Sequence, residues 1–115
     1  MLEIDMEFRK GILFVRLHGE LTKDTVHVLN QEVTRVIQDY QIIHVVFNIE
    51  ELTAIDQAGC TALYHNYQIT TKNNGNVLVC GVKDRDIKKT IEQHHLLEFM
   101  YETSDELTAL EQVHL

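Results

Sequence analysis

The chain has 115 residues, 18 acidic against 10 basic side chains for a formal charge of -8, 44% apolar residues, two cysteines and no proline. That length suits one compact domain over residues 1–115, able to withdraw roughly two thirds of its extended surface from water without a disulfide or metal staple. The apolar residues are dispersed, which argues against disorder and a membrane span, and the acidic balance with no basic cluster opposes nucleic acid and anionic lipid as partners.

Glu3 and Asp5 stand where a secretory signal would need basic residues and an apolar run, so a cytoplasmic protein is expected. In chain order, Leu2, Ile4, Met6 and Phe8 alternate with acids, the period of a strand with one buried face. A turn around Gly11 leads into the β-rich run Ile12 to His18, giving a leading hairpin that Gly19 is expected to end. From Thr22 to about Tyr40 the spacing becomes helical, with Val26, Leu29, Val33, Val36, Ile37 and Tyr40 on one face and Thr22 as the N-cap. Ile42 to Ile49 is nearly continuous and β-branched, as a central strand buried on both faces requires.

Gln57 to Lys72 reads as a second helix, stopped by Asn73-Asn74-Gly75-Asn76. Val77 to Val82 is another buried strand. Asp84 caps a third helix from about Arg85 to His94, Phe99 to Tyr101 forms a short strand, and Ser104-Asp105-Glu106-Leu107 opens a last helix. The order strand, strand, helix, strand, helix, strand, helix, strand, helix predicts an α/β fold: a mixed sheet of about five strands covered by about four helices.

Seven histidines invite a metal or catalytic reading, but none makes a ligand pattern: His94 and His95 are adjacent, so on a helix they point about 100 degrees apart, and the others are isolated. No metal and no cofactor is expected. Cys60 and Cys80 form no CxxC pair and are expected as reduced thiols. Cys60 and His65 would diverge by about 140 degrees on a helix, which argues against a nucleophile pair, although a helix N-terminus could lower the Cys60 pKa. Without a titratable pair that could converge in a pocket, the chain is not expected to be an enzyme.

The most informative segment is Ile55-Asp56-Gln57-Ala58-Gly59-Cys60, between the central strand and the second helix. Asp56 can cap that helix by accepting hydrogen bonds from its first amides, a contribution of about 0.5–2 kcal/mol. Ala58 and Gly59 keep the first turn free of bulk. Together with the hairpin followed by Gly19-Glu20-Leu21, the strand Ile43 to Ile49 leading to Leu52, Tyr67 and the strand Val77 to Cys80, this junction resembles the STAS family along essentially the whole chain.

Within that family the chain is similar to the bacterial anti-anti-sigma factors. The resemblance implies a domain that binds an anti-sigma factor, itself a serine kinase, and so influences sigma-factor-dependent transcription by partner switching. It implies a docking surface of Asp56, Gln57, Ala58, Gly59 and Cys60, with Thr22, Lys23 and Asp24 from the facing loop. The family commonly reads Asp-Ser-Ser-Gly at the junction, and phosphorylation of a serine there switches binding off. Gln57 and Ala58 occupy both serine positions and carry no hydroxyl, and Thr22 stands where relatives usually place Asp. The nearest hydroxyls, Thr53 and Thr61, are read as structural and are minor candidates for phosphorylation. A second class of function is a constitutive scaffold or subunit of a larger signalling or transport assembly.

Overall fold

Six strands form one mixed sheet in the computed structural model, which describes residues 1–114. Strand β1 (Leu2–Arg9) pairs antiparallel with β2 (Ile12–Leu21), with Arg9 opposite Ile12 around the two-residue turn Lys10-Gly11. Strands β3 (His44–Asn48) and β4 (Leu52–Ile55) lie one after the other along the opposite edge of β2, both parallel to it. Strand β5 (Asn76–Cys80) pairs in parallel with β3, and β6 (Tyr101–Thr103) pairs in parallel with β5. The sheet order is therefore β1-β2-β3-β5-β6, with β4 extending the β3 side of β2.

Helix α1 spans residues 26–39 and contains a π-helical stretch, Asn30–Thr34, between Val26–Leu29 and Arg35–Asp39. Helices α2 (Gln57–Lys72), α3 (Arg85–Gln93) and α4 (Glu106–Val113) follow, with a short 3-10 turn at Leu96–Glu98. Each of the last three starts at an aspartate whose side chain accepts backbone N–H bonds: Asp56 from Gly59, Asp84 from Asp86 and Ile87, and Asp105 from Thr108. These bonds satisfy amides that the helix itself leaves without partners.

The alternation of each strand divides the core. Leu13, Val15 and Leu17 of β2 and Val45 and Phe47 of β3 point into a large cluster closed by Leu29, Val33 and Ile37 of α1, Leu63 of α2 and Ile87 and Ile91 of α3. The intervening residues Ile12, Phe14, Val46, Leu78 and Cys80 form a smaller cluster on the other face, closed by Ala109 of α4. β3 and β5 are thus buried on both faces, as their nearly unbroken apolar runs predict.

The α/β expectation holds, and four local readings are corrected. Gly19 lies inside β2, where the register shifts between Gly19 and Glu20, instead of ending it. Its φ of +104° and the 2.2 Å that would separate an added Cβ from the Met1 carbonyl oxygen explain why a glycine continues the strand there. The residue at the start of α1 is Thr25, not Thr22, and its hydroxyl caps no helical amide: it accepts from the Thr22 amide at 2.9 Å and donates to the Glu20 carbonyl at 2.7 Å. Tyr40 falls beyond α1 and is 74% exposed, off the apolar face assigned to it. The short strand is Tyr101–Thr103, since residues 96–98 are spent on the 3-10 turn. The sixth strand, β4, was absent from the expected order.

Candidate functional site

The junction sits where β4 ends and α2 begins. Asp56 is the cap residue of α2, in extended backbone conformation, and its amide donates to the Leu21 carbonyl at the end of β2. One carboxylate oxygen, Oδ1, accepts from the Gly59 amide at 2.9 Å, and the other, Oδ2, accepts from the Lys23 amide at 3.0 Å. A single side chain therefore ties the first turn of α2 to the loop that follows β2. Burial pushes the Asp56 carboxyl upward, but the Gly59 and Lys23 amides, with its own amide and that of Ala58, outweigh it and hold the pKa below the usual carboxylate value.

Gly59 is fully enclosed. A Cβ on it would stand 2.2 Å from the Leu21 carbonyl oxygen and 2.9 Å from Ile55 Cγ1, so only glycine lets α2 start this close to the end of the sheet. Cys60 points the same way, into the large core, with 2% exposure. Its thiol is not activated by the helix start: burial, reinforced by the Asp56 carboxylate, pushes its pKa up to about 11. That reverses the lowering considered from sequence, because desolvation of a thiolate outweighs the helix dipole at a site this enclosed. Gly59 and Cys60 thus shape the junction from beneath and present no side chain to a partner.

The exposed part of the expected set comes together. Lys23, Asp24 and Gln57 are exposed, while Thr22, Asp56 and Ala58 are half-buried. Lys23, Asp56, Gln57 and Ala58 line one open groove of about 720 Å³ between the loop, α1 and α2. Thr22 and Asp24 do not line it; they hold the loop, with the Asp24 amide donating to the Thr22 hydroxyl at 3.4 Å.

The groove has further walls that the sequence reading did not assign to it: Val26 and Asn30 from α1, and Thr61, Ala62 and His65 from α2. Gln57, Thr61 and His65 repeat every four residues and are all exposed, a helical stripe that their spacing alone could have revealed. Asn30 could not be found that way, since only the packing of α1 beside α2 brings it near. Beneath this wall the two helices are joined by a buried bond from the Thr34 hydroxyl to Asn66 Oδ1 at 2.9 Å, while Asn66 Nδ2 donates to the Ala62 carbonyl at 2.8 Å.

Of the two hydroxyls nearest the junction, Thr53 lies on β4 and donates to the Gly19 carbonyl at 3.0 Å, and Thr61 is exposed on the groove wall. No three His, Cys, Asp or Glu side chains converge as a metal site among the described residues, and no helix among them is long and apolar enough to cross a membrane. The arrangement offers a shaped, mostly apolar groove with polar edges, suited to taking up part of another macromolecule.

The model of the STAS domain matches residues 3–109. The anti-sigma F factor antagonist of Paenibacillus polymyxa is 28% identical over 109 residues, covering 95% of this chain and 92% of that protein. Among solved structures, an anti-sigma factor antagonist from Mycobacterium paratuberculosis superposes with a TM-score of 0.86 at 19% identity, covering 100% of this chain and 96% of the other. The Bacillus cell fate determinant SpoIIAA in its phosphorylated form superposes with a TM-score of 0.73 at 17% identity, over 98% of this chain and 99% of the other.

Proposed function

This chain belongs to the STAS domain family, and on that premise we propose that it acts as an anti-sigma factor antagonist, docking an anti-sigma factor of the serine-kinase class through the groove at the start of α2. The observation that carries the proposal is the Asp56 carboxylate, which holds the Lys23 loop and the first turn of α2 together as one surface. The whole-length similarity to the anti-sigma F factor antagonist of Paenibacillus polymyxa supports an anti-sigma factor as the partner. Docking is by shape and hydrogen bonding: Gln57 and Lys23 flank the entrance, and Val26, Ala58 and Ala62 give the groove its apolar surface. The protein acts by occupying its partner and transforms no substrate.

Control of this docking does not run through phosphorylation at the junction. Gln57 and Ala58 have no hydroxyl to accept a phosphoryl group, so binding is constitutive with respect to a kinase acting at those positions. The same absence supports a second reading, a scaffold subunit held permanently in a larger signalling or transport assembly in the cytoplasm.

Titration calorimetry of the purified chain against each anti-sigma factor of its source organism tests the first reading. A saturable complex, unchanged by ATP and weakened about tenfold by Gln57→Glu, is expected. Failure to bind any of them removes the proposal, and a stable complex with a different assembly, indifferent to ATP and phosphatase, selects the second reading.

A further inference from the structure

The smaller core has an unusual closure. Of the eight residues of α4 only Ala109 is buried; Leu110 and Val113 pack half-exposed on Ile12, Phe14, Val46, Leu78 and Cys80, and Leu107 is exposed. The helix itself buries little apolar surface, although the five sheet residues it covers are at most 1% exposed, and its ends are held by polar bonds. At its start the Glu106 carboxylate accepts from Arg16 Nε at 2.7 Å and Nη2 at 2.8 Å, and from Asn48 Nδ2 at 2.8 Å. At its far end the His114 ring Nε2 lies 3.0 Å from the Lys10 carbonyl oxygen, as a donor in the tautomer that carries the proton there.

Arg16 is shared. Its Nη1 also donates to Asp5 and its Nη2 to Glu7, each at 2.8 Å. When Glu106 departs, the guanidinium keeps two carboxylates and is not stranded as an unpaired charge, which removes the largest penalty that breaking such a pair usually carries. The cap of α4 travels with it, since Asp105 holds the Thr108 amide at 2.8 Å and the Ser104 and Thr108 hydroxyls lie 3.3 Å apart.

We infer that α4 is a latch that opens by itself while the rest of the fold stays intact, uncovering Phe14, Val46, Leu78 and Cys80. The unit is one short element with a single buried side chain of its own, the kind of segment that opens below the free energy of global unfolding. Acid favours opening. Arg16 first, and Asn48 with it, hold the Glu106 carboxyl below its ordinary range against the opposing effect of burial, so protonating it forfeits those bonds. The groups facing Glu106 are Arg16 from β2, Asn48 from β3, Asp5 and Glu7 from β1 through the shared guanidinium, Arg9 at longer range, and the Cys80 thiol of β5, itself pushed up to about 12 chiefly by burial.

The two thiols report opening independently, because Cys80 lies beneath α4 whereas Cys60 projects from α2 into the other core. The intact chain is treated with dithiodipyridine at neutral pH, and mass spectrometry assigns the label to either cysteine. Cys80 should react more than about tenfold faster than Cys60, and low urea should raise the Cys60 rate steeply while moving the Cys80 rate little, because opening α4 exposes far less surface than global unfolding. Equal rates at both thiols, rising together with urea, would show that α4 leaves only with global unfolding and overturn the latch. Glu106→Gln and Leu110→Ala loosen the closed state itself, so each should speed both thiols by a similar factor with the gap between them kept; a gap that closes in either variant refutes the latch.

Discussion

The Lys23 amide donates to one oxygen of Asp56 at 3.0 Å while the Gly59 amide occupies the other at 2.9 Å, so a helix cap and a tertiary tether share one carboxylate. A cap needs only one acceptor oxygen. The second fixes the loop that follows β2 against α2 and forms one end of the groove. The two roles can be separated by substitution.

Asp56→Asn should keep the cap, because an asparagine oxygen accepts the Gly59 amide as well as a carboxylate does. Its NH2 group would face the Lys23 N–H, two donors opposed, so the tether is lost. The expected outcome is a global loss under about 1 kcal/mol in urea unfolding, with the Lys23 amide exchanging hydrogen much faster. Asp56→Ala loses both bonds and should cost about 1–2 kcal/mol.

Gly59→Ala places a methyl group 2.2 Å from a backbone oxygen, which no side-chain rotation relieves. α2 must move away from the end of the sheet, at a cost of about 1–3 kcal/mol read from the urea midpoint. Ala58→Gly next to it removes a half-buried methyl group without any clash, and should cost no more than about 1 kcal/mol.

Thr34→Val keeps the volume beneath the groove wall and leaves Asn66 Oδ1 without its donor in a fully buried position. A loss of about 1–3 kcal/mol is expected. A thermal unfolding midpoint within a degree of wild type would show that Asn66 finds another partner.

Stability should fall in acid. The Asp56 carboxyl is lowered by backbone amides that overcome its burial, and the Glu106 carboxyl is lowered chiefly by Arg16. A lowered folded-state pKa contributes stability that is fully present above the unfolded-state value and is lost as pH falls through the folded-state value. The window therefore opens near the ordinary values of 3.8 and 4.5 and extends below them. Urea midpoints measured from about pH 7 to about pH 3 should decline through that window. Glu106→Gln should be less stable at neutral pH and show a shallower acid decline.

Local pattern made much of the fold legible. The alternation of Leu2, Ile4, Met6 and Phe8, the continuous run through Val45 and Phe47, and the bounds of the Gln57–Lys72 helix follow from periods and stop residues within a few positions. The strand at Leu52–Ile55 does not, because it is four residues long, follows Glu50 and Glu51, and exists only because the edge of β2 beyond Gly19 offers it partners. Thr22 reads as the cap of α1 on paper, but in the folded chain Thr25 stands at the helix start with its hydroxyl drawn back to the Glu20 carbonyl.

The candidate site divides in the same way. Asp56 as the cap of α2 is a property of the sequence, since cap and helix are neighbours in the chain and local sterics suffice to form them. That Gly59 and Cys60 turn inward, that Lys23 and Asn30 border the groove, and that one oxygen of Asp56 is spent on a distant amide were decided by tertiary packing. Which side of a short helix faces the sheet depends on how closely the helix approaches it, and here that distance is set by a glycine against the Leu21 carbonyl oxygen.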